Sequence, residues 1–258
     1  MNKCQVTKCQ GFVSIVGAGP GPVDLMTLRA LDRLQRAEVV VHDRLISPEV
    51  LALISSTAQR LYVGKALGNH SVPQVQIHAL LVQHAKLGKR VVRLKGGDPY
   101  IFGRGGEEVL ALRAEGISFE VVPGVTSASG CSAAAGIPLT HRDLAASCVF
   151  LTGHLADDSV THDWAALARP GQTRVFYMGV QRLAQIAERL ISHGLPPNTP
   201  AAIVRDGTRA TQTVVATCLS HLVELALSYG PQPGLLIIGE TVQMSPSFKV
   251  QETLGLVT

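Results

Sequence analysis

The chain lacks a long hydrophobic run, a paired cysteine pattern and any gathered run of like charge, and each absence removes a class of function. Its longest apolar stretches fall well short of the roughly 20 residues that cross a bilayer. Its first residues are polar and carry cysteines where a signal peptide needs an apolar run. A cytoplasmic protein with no membrane partner is expected. The five cysteines, Cys4, Cys9, Cys131, Cys148 and Cys218, are odd in number and contain no C-x-x-C pair. That pattern suits neither a disulfide framework nor a zinc site, so they read as reduced thiols and no metal is expected. Only 16% of the residues are charged and the net charge is +4 without long basic runs, which does not indicate nucleic acid. An anionic small molecule accounts for it as well. What is present is a 46% apolar content over 258 residues, enough to bury the core of one large domain or two ordinary ones.

Hydrophobic periodicity organises the first half as strands alternating with helices, the pattern of a largely parallel α/β sheet. Phe12 to Val16 reads as a strand running into Gly17-Ala18-Gly19-Pro20-Gly21-Pro22, with Leu25, Leu28, Leu31 and Leu34 placed on one face of the helix that follows. Further strands are predicted at Glu38 to His42, Arg60 to Val63, Val91 to Leu94 and Phe119 to Val122, with a helix opened by Pro73 and another near Glu107 to Ala114. A second series covers Cys148 to Thr152, Thr173 to Met178, Ala201 to Arg205, Thr213 to Ala216 and Leu235 to Ile238. The division expected is an extension over 1–11, an α/β domain over 12–145, a second over 146–245 and a loose tail over 246–258.

In open α/β sheets the ligand crevice lies at the carboxyl ends of the strands. Here those ends carry Gly17-Ala18-Gly19-Pro20-Gly21, Asp43-Arg44, Gly64-Lys65, Gly96-Gly97-Asp98 and Thr126-Ser127. Each alone is ordinary loop punctuation. Five in succession point to a site, because structural loops do not need acids and bases at that edge. Gly17-Ala18-Gly19 with Asp43 imitates a dinucleotide-binding fingerprint, which would make the chain a nicotinamide-dependent dehydrogenase. The imitation fails at position 22, where Pro stands for the third glycine; Pro20 and Pro22 hold the chain extended where that fingerprint begins a helix.

The runs Val16 to Gly21, Val41 to Leu45, Val63 to Lys65, Leu94 to Gly105, Val122 to Gly130, Pro138 to Arg142 and Phe176 to Gly179, in order and with family-like spacing, resemble the tetrapyrrole methylase family, and within it the branch that methylates uroporphyrinogen III. The resemblance covers about Val13 to Val242. It implies two α/β domains with an active-site cleft between them, a homodimer, S-adenosylmethionine as methyl donor and S-adenosylhomocysteine as its product. It also implies two successive methylations of uroporphyrinogen III, at C2 and C7, giving precorrin-2 for sirohaem, cobalamin or haem d1. A methylase of another corrinoid precursor is the alternative on the same fold. The chain is too short for the further region of fused sirohaem synthases, so a stand-alone methyltransferase is expected.

By position, the resemblance puts the donor against Pro20, Gly96, Gly97, Asp98, Ile101, Thr126, Ser127, Met178 and Gly207. It assigns Asp43 as proton acceptor, Lys65 as proton donor and Arg104 a place near the reacting ring. A substrate with eight carboxylates calls for forked cations, and Arg44, Arg104, Arg142 and His154 stand at strand ends or in loops, with Glu107 available for pyrrole N–H groups and Met178 beside an adenosine. The chemistry constrains these roles. A guanidinium stays protonated in an ordinary environment, so Arg104 reads as a cation, and an Asp43–Lys65 ion pair closing the sheet edge competes with the acid–base reading.

Overall fold

The computed structural model describes residues 11–64, 72–153, 162–229 and 233–249. The chain divides into two compact units, Met1–Thr126 and Ser127–Thr258. The first contains β1 (Phe12–Gly17), α1 (Leu28–Gln35), β2 (Val39–His42), α2 (Pro48–Ala52), β3 (Gln59–Tyr62), α3 (Gln74–Lys86), β4 (Arg90–Lys95), α4 (Gly105–Ala114) and β5 (Ser118–Val122). All five strands are parallel, in the order β3-β2-β4-β1-β5. The inner strands are buried on both faces, as a parallel sheet covered by helices requires. Their side chains alternate: Val13, Ile15, Val39, Val41 and Val91 pack with Ile77 and Leu81 of α3 and Leu112 of α4. Val16, Val40, Val92 and Leu94 pack on the other face with Ala30 and Leu34 of α1 and Val50 of α2.

Local chemistry sets the helix starts. The Thr27 hydroxyl accepts from Ala30 N at 3.1 Å, and Ser47, ahead of Pro48, accepts from Val50 N at 3.3 Å. The predicted leucine face of the first helix is corrected by this: α1 begins only at Leu28, which is 87% exposed, and Ala30 and Leu34 make its buried face.

The second unit contains α5 (Ser127–Ala134), β6 (Ser147–Thr152), α6 (Trp164–Leu167), β7 (Gln172–Tyr177), α7 (Leu183–Ser192), β8 (Pro200–Arg205), β9 (Thr213–Cys218), α8 (Leu219–Tyr229) and β10 (Leu235–Ile238). Its sheet, β6-β7-β10-β8-β9, is mixed: β6 and β7 are parallel and the remaining neighbours antiparallel. One face packs on α7 and α8 through Leu183, Leu190, Leu219 and Leu222. The other packs on α5 through Ala128 and Cys131. The sequence division at 145/146 keeps Ser127–Ala134 with the first sheet, whereas this helix packs on the second. The described part of the expected tail is fastened, since Phe248 pairs with Ala216 and Lys249 N donates to Ala216 O at 3.1 Å. Among the described residues, no helix is long and apolar enough to cross a membrane.

Candidate active site

At the carboxyl edge of the first sheet, the loops after β1, β4 and β5 touch backbone to backbone. Gly97 N donates to Gly19 O at 2.7 Å and Gly19 N to Gly97 O at 3.2 Å, so the two glycine stretches form a short antiparallel bridge. Gly17 lies so close beneath them that a Cβ there would meet Gly124 N and Gly97 O at 2.6 Å, and no side chain fits. Asp98 fastens the assembly: Oδ1 accepts from Tyr100 N at 2.8 Å and Oδ2 from Gly124 N at 3.1 Å, tying the loop after β4 to the loop after β5. Pro22 is extended (φ −64°, ψ 147°) and caps only a single 3-10 turn, Val23–Leu25; the first α-helix starts after Thr27, so no α-helix N-terminus follows β1 directly. The dinucleotide reading loses its phosphate seat for that reason.

Asp43 follows β2. Its Oδ1 accepts from Leu45 N at 2.9 Å, and its Oδ2 lies 3.6 Å from Nη2 of Arg93. The ion pair that the Asp43 carboxylate makes among the described residues is thus with Arg93; Lys65 lies outside the described residues, as does His154. Arg104 caps α4 in the left-handed conformation (φ 59°) two residues after Phe102 (φ 50°), a strained pair of the kind that clusters at ligand sites. Its guanidinium grips Glu107 through two bonds, Nε to Oε1 at 2.8 Å and Nη2 to Oε2 at 2.7 Å. The Glu107 hydrogen bond pushes the arginine further up, and the reciprocal bond from Arg104 holds the Glu107 carboxyl below its ordinary range. Arg104 is therefore a cation here. Arg44 is exposed in the turn after β2, Pro20 and Ile101 are half-buried beside the glycine loops, and Thr126 ends the unit.

Beneath this edge lies a charged group that the strand pattern alone did not reveal. Arg93 and Lys95, 4% and 5% exposed, both donate to Oε1 of the fully buried Glu108, Arg93 Nε at 3.0 Å and Lys95 Nζ at 3.0 Å. Burial pushes the Lys95 amine below its ordinary value, and the neighbouring Arg93 charge adds to the drop, against the opposing pull of Glu108. The signal available in the sequence was the alternation Val91, Arg93, Lys95: two cations at strand spacing on one face of an otherwise apolar run need a buried acid.

In the second unit, Met178 follows β7 with φ 55° and is 55% exposed, an unusual setting for a large apolar side chain with left-handed backbone. Gly207 sits between Asp206 (φ 46°) and Thr208 (φ 73°) and packs directly on Cys131 of α5, where a Cβ would overlap the thiol. Gln212 holds this loop, accepting from Thr208 N at 2.7 Å and donating to Ala134 O at 3.0 Å. Tyr177 receives a hydrogen bond at its hydroxyl from Ala128 N at 3.0 Å, one residue past Ser127. Arg142 is exposed in the turn closed by His141 and Ala145.

The residues present fit a nucleoside-type methyl donor. In the first unit, glycine-lined backbone lies beside exposed apolar groups at Leu45, Tyr100 and Phe102, the kind of surface a nucleoside can cover; in the second unit, taken by itself, Met178 is exposed. No cluster suited to a metal ion occurs among the described residues.

Comparison with known proteins agrees with this chemistry. A siroheme synthase of Nitrosospira multiformis is 55% identical over 236 residues, which are 91% of this chain and 50% of that protein. The chain spans about half the length of the curated relatives it matches. The crystal structure of uroporphyrin-III C-methyltransferase from Thermus thermophilus complexed with S-adenyl homocysteine is 42% identical, covers 90% of this chain and 98% of that one, and superposes with a TM-score of 0.77. A cobalt precorrin-4 methyltransferase is 27% identical over 90% of this chain and 95% of its own, with a TM-score of 0.80. A single family model accounts for residues 13–223, and on that match this chain belongs to the tetrapyrrole (corrin/porphyrin) methylases.

Proposed function

We propose that this chain is an S-adenosylmethionine-dependent C-methyltransferase that converts uroporphyrinogen III to precorrin-2 by two successive methylations, at C2 and C7, for sirohaem or a related tetrapyrrole. The observation that carries the reading is the edge of the first sheet, where zipped glycine loops adjoin a carboxylate with a buried cation behind it. The Thermus relative, solved with the demethylated donor, supports the cofactor.

The donor supplies a sulfonium methyl that is already activated, so the chain's task is alignment and charge management. Pro20, Gly96, Gly97, Asp98, Ile101 and Thr126 of the first unit, with Ser127, Met178 and Gly207 of the second, are the positions assigned to hold it. Asp98 shapes the loops with two backbone bonds, and a carboxylate has acceptor sites to spare. Arg104, Arg44 and Arg142 are assigned to substrate carboxylates, and Glu107 to pyrrole N–H groups. Methylation at a ring carbon leaves the tetrapyrrole cationic. The methylated carbon itself carries no hydrogen, so Asp43 then takes a proton from a bridging carbon next to that ring: the C–H bond there breaks, its electron pair neutralises the ring system and the proton passes to a carboxylate oxygen. Lys65 and His154 keep the roles that the family resemblance gives them, and the protein is read as a cytoplasmic homodimer.

The likeness to a cobalt precorrin-4 methyltransferase favours, as a second reading, a different corrinoid precursor on the same donor site. Ligand-dependent thermal stability tests the shared part. S-adenosylhomocysteine at 100 times its Kd stabilises the protein by about 2.7 kcal/mol, and NAD gives no shift. Stabilisation by NAD alone contradicts the reading.

A further inference from the structure

Period-2 alternation puts three charges on one face of the first sheet, and a helix adds a fourth. Val41 is the Cα partner of Arg93 across β2 and β4, so Asp43, two residues beyond Val41, comes out on the face that carries Arg93 and Lys95. That is also the face on which α4 lies, and α4 supplies Glu108. Arg93, Lys95 and Glu108 bring two positive charges and one negative into the interior. Asp43, with its side chain 26% exposed against 5% for that of Arg93, is the second negative charge and the one that reaches the surface.

Arg93 has little freedom in this setting. Its Nε is held by Glu108 at 3.0 Å, and its Nη1 by the carbonyls of Leu94 at 3.2 Å and Val41 at 3.4 Å. What is left of the fork, Nη2, points at Asp43 Oδ2. With Leu45 N on the other oxygen, the carboxylate is hydrogen-bonded on one side and ion-paired on the other. Gln74 of α3 braces the acid, donating to Glu108 Oε1 at 3.3 Å, while Glu108 Oε2 has no hydrogen-bond partner. The geometry is that of a buried cation clamped along one edge and presenting the other to a half-exposed acid.

We propose that Arg93 is a positioning residue for Asp43: its guanidinium, locked by Glu108, holds the carboxylate so that one oxygen faces the C–H bond it deprotonates. This rests on Asp43 being the proton acceptor. With its side chain only 5% exposed, Arg93 is placed to act through Asp43.

A double-mutant cycle on the full chain separates this from a merely structural role. The proteins are wild type, Asp43→Asn, Arg93→Met and the double variant, with Arg93→Lys as the milder companion that keeps a buried positive charge beside Glu108. For each, kcat, KM for uroporphyrinogen III, Kd for S-adenosylhomocysteine and Tm are measured. The expected result is a fall in kcat of ~10–100-fold for Arg93→Met, up to the cost of a reacting group displaced by about 1 Å, with KM and Kd changed less than about threefold. In the Asp43→Asn background the same substitution changes kcat by less than about twofold, because the residue it acts through is already gone. Arg93→Lys lowers kcat while folding with a Tm near wild type, since the ammonium reaches Glu108 but has no second nitrogen to set beside Asp43. Equal falls in both backgrounds, with a slow Asp43→Asn, overturn the proposal alone. A parallel loss of S-adenosylhomocysteine affinity also overturns it, as general loosening of the β4 loop. A wild-type rate for Asp43→Asn overturns the acceptor reading and the proposal with it.

Discussion

At Asp98, both carboxylate oxygens accept backbone N–H groups from different loops, so removing the side chain loosens the donor edge as well as taking away an acceptor. Hydrogen bonds to a charged group contribute about 1.5–3 kcal/mol each, and less where, as at Tyr100 N, the bond is exposed to water. Asp98→Ala is expected to lower donor affinity by at least ~10-fold and unfolding stability by ~1–3 kcal/mol, read by calorimetry and urea unfolding. Arg104→Ala behaves oppositely. The bidentate grip on Glu107 is exposed and adds little to stability, so turnover falls while Kd for S-adenosylhomocysteine stays within about threefold. Normal turnover and affinity in both variants would contradict the site. Asp98, Asp43 and Arg104 were legible as chemistry-bearing residues from their places after apolar runs. The partners were not, because Arg93 reaches Asp43 through pairing between β2 and β4, which are far apart in sequence, and Glu108 meets Arg93 from α4.

Among elements, the strands were the most legible. Each predicted strand appears within two residues of its expected bounds, and the inner strands β1, β2 and β4 were the plainest, since strands buried on both faces write themselves as short, largely apolar runs. The helix α5 was not legible: Ser127-Ala128-Ser129-Gly130-Cys131-Ser132-Ala133-Ala134 has neither a large apolar stripe nor a strong helix-forming composition. It is helical because small residues let it lie close on the second sheet, with Cys131 against Gly207 and Tyr177 receiving the Ala128 N–H. Burial raises the Cys131 thiol from 9.0 to about 11, and Cys148 likewise to about 11. The sign follows from proton binding. The unfolded thiol ionises first, so the stability gained by burying the neutral form is complete below pH 9 and is lost as pH rises through about 11. Urea unfolding between pH 8 and 11 should show a decline to which Cys131 contributes ~1–3 kcal/mol. The Cys131→Ala, Cys148→Ala pair should flatten it, and an unchanged decline in that variant would contradict the burial argument.

For the molecule as a whole, the two units have different sheets for different tasks. The parallel sheet ends all its strands at one edge, which is how residues as distant in sequence as Gly19, Asp43, Gly97 and Gly124 come to share it. The mixed sheet of the second unit presents Met178 and the Gly207 loop from turns whose left-handed residues have no signature in composition. The glycine-proline loop could be read in advance as unsuited to a dinucleotide, because Pro20 and Pro22 hold the chain extended at the place where the fingerprint begins its α-helix, and α1 begins only after Thr27. The central claim is the double methylation of uroporphyrinogen III, and mass spectrometry of the product formed anaerobically from that substrate and S-adenosylmethionine tests it most directly. The account predicts a tetrapyrrole heavier by two methyl groups. Donor binding with an unmodified tetrapyrrole would contradict the substrate assignment and move it to another precursor.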